Sequence, residues 1–197
     1  MCTTKITHLF AAAILLALPL GACAQSAKSA APPDDERLEF AVSYQSMLAN
    51  PVGGNTFWFQ GGSAQLHGQF WHGLGTVADV AGLHAGNIGT NVNADLVTAT
   101  FGPRYSWQIP RKRCTVYGQA LVGEAFGLNS VFPGASSATE TANSLAIVLG
   151  GGVNYSLRPR LSLRILDANW VRTQLPNATT NVQNNLRIGA GLVLRIK

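Results

Sequence analysis

From Leu38 onward, apolar side chains fall on every second residue in segment after segment, and a period of two admits strands and excludes helices. The strictest case is the last: Leu186, Ile188, Ala190, Leu192, Leu194 and Ile196 form one face, and Arg187, Gly189, Gly191, Val193 and Arg195 the other. Eight such segments can be traced. In the first, Leu38, Phe40, Val42 and Tyr44 oppose Glu39, Ala41, Ser43 and Gln45. A second, near Phe57 to Phe70, sets Ala64, Leu66, Gly68 and Phe70 against Gln65, His67 and Gln69. The third, Leu74 to His84, is weakly patterned, because Asp79 shares a face with Val77 and Ala81. The fourth, Leu96 to Trp107, alternates cleanly, with Val97, Phe101, Tyr105 and Trp107 opposite Thr98, Thr100 and Arg104. The fifth, about Val116 to Phe126, has ambiguous parity, with Glu124 grouped with Gly118 and Ala120. The sixth, Leu145 to Tyr155, alternates again. In the seventh, Leu161, Leu163 and Ile165 are followed by Asp167 on the apolar face, and a β-bulge near Leu166 restores the order.

The connections order these strands. Those between segments 2 and 3, 4 and 5, and 6 and 7 are short, around WHG, IPRKRC and SLRPR; the other four read as long loops near residues 47–55, 85–95, 127–143 and 173–183. Strict alternation of long and short puts the long loops at one end of a meander and the short turns at the other, which is the layout of a transmembrane barrel. The expectation is an all-β fold, an eight-stranded antiparallel up-and-down transmembrane β-barrel.

Two barrels carry this parity: a soluble one with large apolar residues inside, and a membrane one with those residues facing lipid. Composition favours the membrane. Charged residues are 12% of the chain, too few for a water-facing surface of this area. The face opposite the large apolar residues is mostly Gly, Ala, Ser, Thr and Asn, which suits a narrow lumen. Each clear strand offers about 9 to 11 residues, the length a tilted strand needs to cross the hydrocarbon layer. Tyr105, Trp107 and Tyr155, on the apolar face near the short turns, are expected to form an interfacial aromatic girdle. Pro103 within the fourth strand removes a ladder hydrogen bond and is expected to mark a bulge. Inward positions carry charges of both signs: Glu39, Asp79, Arg104, Glu124, Arg164, Arg187 and Arg195 are expected to pair in a network that plugs the lumen.

Before the barrel, the run Leu9 to Ala22 after Lys5 has the length of a signal-peptide core rather than a span. Ala22-Cys23-Ala24 offers an A-x-A cleavage site, and Leu20-Gly21-Ala22-Cys23 also fits a lipobox; the first reading divides the chain into a signal peptide at 1–24, a disordered lead-in at 25–36 and a barrel at 37–197. Cys114 then stands without a disulfide partner.

FGPRYSW, GQALVG, LGGGVNYSL, LSLRILDANWVRT and NNLRIGAGLVLRI together resemble the barrel domain of the OmpA-like and opacity-protein-like outer-membrane families of Gram-negative bacteria. The resemblance covers about Leu38 to Ile196. It implies a location in the outer membrane and a mostly non-enzymatic role in envelope integrity, adhesion or surface interaction through the extracellular loops. It further implies the outer-membrane lipids, lipopolysaccharide included, and the barrel-assembly machinery as partners, beside an extracellular ligand that the sequence does not identify.

Catalytic and cofactor chemistry finds little footing. Some small outer-membrane barrels modify lipid A with a His, a Ser and an acid, but His67 falls on the lumen face, His72 in a short turn, and no Ser and acid recur beside His84 at the loop end of the third strand. Gly150-Gly151-Gly152 lies in an apolar strand with no Lys-Ser/Thr after it, so it is no phosphate loop. No metal spacing and no cofactor motif is present, and Arg111, Lys112, Arg113, Arg158 and Arg160 lack the aromatic interleaving of a nucleic-acid site. A lipid A-modifying enzyme, a narrow channel and a soluble periplasmic ligand-binding barrel are the alternative readings.

Overall fold

Each period-two segment becomes one strand of a closed antiparallel barrel in a computed structural model that describes residues 37–49, 56–89, 92–110, 112–129, 140–176 and 181–196. The strands are β1 (Arg37–Ala49), β2 (Phe57–Trp71), β3 (Leu74–Gly89), β4 (Val92–Gln108), β5 (Cys114–Leu128), β6 (Ala142–Arg158), β7 (Leu161–Thr173) and β8 (Gln183–Arg195). Each pairs with its sequence neighbours, and β1 closes on β8 with Glu39 opposite Arg195 and Leu48 opposite Leu186. The signal-peptide and lead-in expectations at 1–24 and 25–36 lie outside the described residues.

Parity decides what each strand presents. On β1, Ala41, Ser43, Gln45 and Met47 are buried in the lumen, while Phe40, Val42 and Tyr44 point outward at 39%, 53% and 63% exposure. On β8, Leu186, Leu192 and Leu194 are about half exposed, at 49%, 52% and 49%, and Arg187 is 1% exposed. A barrel in water would invert this pattern.

The turns at the short end are tight. His72 and Gly73 both take positive φ (39° and 90°), as a two-residue type I′ hairpin requires. The turn after β4 is closed by Ile109 N donating to Cys114 O (2.9 Å) and Lys112 N to Ile109 O (3.1 Å). At the other end one expectation fails. Residues 85–95 are not a long loop: β3 runs to Gly89 and β4 starts at Val92, with Ala85 opposite Ala94 and a register shift before the Gly89–Val92 pair. Small and polar residues imitate a loop there, and pairing with a continuous neighbour overrides their weak strand preference.

The irregularity expected near Leu166 is present. The β6–β7 register steps from Val153–Leu166 to Asn154–Arg164, and the β7–β8 register from Arg164–Gly191 to Asp167–Gly189. The extra residue turns Ile165 and Leu166 both outward and returns Asp167 to the lumen. Pro103, by contrast, makes no bulge. The β4–β5 register is the same on either side of it, and Gly102 and Pro103 are simply left out of that ladder while Pro103 stays opposite Thr76 of β3.

Candidate functional site

The lumen has two layers. Toward the long loops it is filled by an apolar cluster that includes Met47, Phe59, Leu83, Leu96, Leu121 and Val148. Toward the short turns it is filled by a polar network centred on two buried arginines, Arg104 and Arg164, at 2% and 0% exposure, and a third buried arginine, Arg187 at 1%, stands opposite Met47 of β1. Buried guanidinium groups are costly unless their donors are met, and the partners present here are amides as much as carboxylates, with Arg164 Nη2 and Arg187 Nε left without a hydrogen-bond partner among the described residues.

Gln65 Oε1 accepts from both Arg104 Nη2 and Arg164 Nη1, each at 2.6 Å. Arg104 Nε also donates to Gln119 Oε1 (3.1 Å), and Arg164 Nε to Asn154 Oδ1 (3.2 Å). Both guanidinium carbons lie over the ring of Tyr117, 4.3 and 4.9 Å from its centroid, so one aromatic ring serves two cations. The hub for negative charge is Asp167. Its carboxylate accepts from Tyr117 Oη (2.8 Å), Asn169 Nδ2 (2.9 Å) and Gln45 Nε2 (3.1 Å), and lies 3.8 Å from Arg164. Gly152 makes room for Tyr117: a Cβ at that position would stand 2.6 Å from the tyrosine oxygen.

A second pair crosses from β8 to β3, where Arg187 Nη2 donates to Asp79 Oδ2 at 2.9 Å with both side chains sealed from solvent. At the short-turn mouth Glu39 takes looser contacts, 3.5 Å from His67 Nδ1 and 3.5 Å from Arg195 Nη2. Of the seven residues expected to face the lumen, Glu39, Asp79, Arg104, Arg164 and Arg187 do so, and Arg195 sits at the rim with its side chain 33% exposed. Glu124 does not. It is exposed on the outer face, opposite Ala99 and Leu145, because Tyr117, Gln119, Leu121 and Ala125 take the inward places of β5. Sequence reasoning missed Gln45, Gln65, Tyr117, Gln119, Asp167 and Asn169 as members of the network. The bulge was the signal for Asp167, and inward glutamines on an otherwise small-residue face were the signal for the amides.

Aromatic residues ring the outer surface at both ends of the apolar face. Tyr105 and Trp107 are 55% and 62% exposed near the short turns and Tyr155 is half-buried beside them, joined by Trp71 at 62%. Toward the long loops stand Trp58 and Trp170, at 49% and 36%. On β4 the outward apolar stretch runs from Val97 to Trp107. Ten intervals at about 3.3 Å, tilted by about 40°, climb about 25 Å, the height of a lipid-facing band.

Beyond that stretch, His84 and Asp95 pair on the outer face, with Nδ1 and Oδ1 2.5 Å apart. Asn129 donates to the other Asp95 oxygen, and the His84 and Asn129 hydrogen bonds together hold this carboxyl below its usual range. An acid thus does stand beside His84, which the sequence order concealed. The nucleophile for a triad does not follow from it: the register runs Ser46, Gln60, His84, Asp95, so Ser46 is two strand spacings, about 10 Å, from the imidazole. Among the described residues no group of three or more His, Cys, Asp or Glu converges as a metal site.

No protein-family model and no curated protein matches the chain by sequence. Solved structures match its fold. Neisserial surface protein A superposes with a TM-score of 0.60 at 14% identity, over 80% of this chain and 96% of its own. The attachment invasion locus protein Ail of Yersinia pestis, solved with the heparin analogue sucrose octasulfate, gives 0.53 at 16%, over 81% and 99%. The outer membrane protein OprG of Pseudomonas aeruginosa gives 0.53 at 8%, over 82% and 97%. The fold is that of the eight-stranded outer-membrane barrels of the OmpA and opacity-protein type.

Proposed function

We propose that this outer-membrane-type barrel is non-catalytic and acts at the cell surface, with a lumen closed by its own side chains and loops that carry the contacts in adhesion, surface interaction or envelope integrity. The observation that carries the reading is the combination of an outward apolar face bounded by aromatics with a lumen filled along its length, polar at one end and apolar at the other. A filled lumen leaves the loops as the variable surface.

The loop sequences narrow the ligand. Between the strands at the long-loop end, residues 50–56, 90–91, 129–141 and 174–182 contain a single charge, Glu140, and no Lys or Arg. Ail was solved with a sulfated sugar analogue, but polyanion recognition needs cations, so a neutral or weakly polar partner suits these loops better. Lipopolysaccharide would meet the outer surface around Tyr44, Gln60, His84 and Asp95, where Tyr44 Oη donates to Gln60 Oε1 at 2.6 Å.

The test is display on a Gram-negative host without adhesins of its own, comparing the native chain with one whose residues 130–139 and 177–180 are replaced by Gly-Ser. Adherence should fall while the amount of folded barrel is unchanged. Equal adherence would count against the loops, and discrete conductance steps in a planar bilayer would count against a closed lumen.

A further inference from the structure

The short-turn rim holds a concavity of about 270 Å³ lined by Arg113, Ser156, Leu157, Arg158, Pro159 and Arg195. Three of its six lining residues are arginines, and they come from three places in the chain: the β4–β5 turn, the end of β6 and the end of β8. Backbone bonds fix them together. Ser156 N donates to Arg113 O at 2.7 Å, and Arg195 N to Arg160 O at 2.8 Å.

These arginines are short of anions. Among the described residues neither Arg113 nor Arg158 has a carboxylate within ion-pair distance. Among the same residues Arg195 reaches Pro159 O at 3.4 Å and Glu39 at 3.5 Å, both at the outer limit of a hydrogen bond, and its buried Nε has no partner. Three arginines lining one concavity with little internal compensation favour an oxyanion, which a planar guanidinium fork binds in a bidentate manner.

The surroundings choose between a dissolved anion and a lipid. Leu157 lines the concavity and is 44% exposed on the outer side, and Leu194 and Ile196, 49% and 54% exposed, continue the apolar face from the same end of β8. A ligand with a phosphate in the concavity can therefore lay acyl chains directly on the lipid-facing surface. We propose that this rim is a binding site for the phosphodiester headgroup of an anionic phospholipid of the leaflet that faces the short turns. The site rests on the membrane orientation proposed above.

The test uses the folded mature barrel in dodecyl maltoside and titrates dihexanoyl phosphatidylglycerol calorimetrically, against dihexanoyl phosphatidylcholine and inorganic phosphate. Saturable binding of the anionic lipid is expected, weakened about tenfold or more by Arg113→Gln with Arg158→Gln, since each removes a charge-assisted contact. Arg37→Gln, on the neighbouring rim concavity shared with His72, Tyr105 and Trp107, should leave it unchanged. Retention of the heat-sensitive folded band on a gel shows that each variant is a barrel; if the double variant does not fold, Arg158→Gln alone is read, with a smaller loss in the same direction. Equal weakening by Arg37→Gln, equal binding of phosphatidylcholine, or equal competition by inorganic phosphate would overturn the site. Loss of the folded band in the native chain would instead overturn the barrel reading itself.

Discussion

Replacing Asp167 with Ala removes the carboxylate in contact with Arg164 and the acceptor for three further donors, those of Tyr117, Asn169 and Gln45. Arg164 is 0% exposed and Asp167 is 0% exposed, so no water can take over as partner without opening the barrel. Breaking a buried pair by removing one partner costs about 3 to 5 kcal/mol. The lost neutral hydrogen bonds are part of the same network, so their cost, about 1 kcal/mol each, overlaps with that figure rather than adding to it. A loss of about 3 to 5 kcal/mol is therefore expected from urea unfolding in lipid vesicles, followed by the emission shift of the outward tryptophans as they leave lipid. Pairing Asp167→Leu with Arg164→Met should recover part of the loss, because no unpaired charge is left buried while the donors of Tyr117, Asn169 and Gln45 still lack their acceptor. If Asp167→Ala unfolds within about 1 kcal/mol of the native chain, or the double variant is as unstable as the sum of the singles, the buried network does not work as described.

Glu124→Leu should raise stability by up to about 1 kcal/mol in the same assay, since it removes an acid from the lipid-facing side near the edge of the band. Gly152→Ala should lower it by about 1 to 3 kcal/mol, because the added methyl group meets the backbone oxygen of Leu166 as well as Tyr117, whose ring can move only by releasing Arg104, Arg164 and Asp167. His84→Ala should raise the Asp95 pKa toward the ordinary carboxylate range, read by carbon-detected NMR. Because the folded Asp95 pKa is depressed, its contribution to stability is present above the unfolded value and lost as pH falls through the folded one, and its exposure keeps that contribution small.

The outward surface was legible in the sequence because lipid sets one requirement for every strand, large apolar residues at alternate places, and β1, β4, β6 and β8 meet it at most of those places, Ser46, Ala99, Pro103, Gly151 and Ala190 being the departures. The lumen imposes no such uniform rule. Phe57, Trp58 and Phe59 are consecutive aromatics, so period-two reading cannot say which of them plugs the barrel; closure places Phe59 inside at 7% exposure and Trp58 outside. Met47, Leu83 and Leu96 likewise fill the upper lumen, where a polar interior was expected. Glu124 was misassigned because its neighbours Gly123 and Ala125 carry no facial preference, and only the demands of Tyr117 and Gln119 further along β5 fix the parity. The partners of Arg104 and Arg164 come from β2, β5, β6 and β7. Such contacts are set by the register of a closed sheet, which no local pattern encodes.

All four tryptophans, Trp58, Trp71, Trp107 and Trp170, lie on the outer face. The most direct test of the account is their fluorescence in vesicles whose phosphatidylcholine acyl chains carry bromine. A barrel with its large apolar residues toward lipid predicts strong quenching by the brominated chains and little by aqueous iodide. Emission untouched by the brominated lipid, in a chain that has kept its strand content, would contradict the assignment of faces.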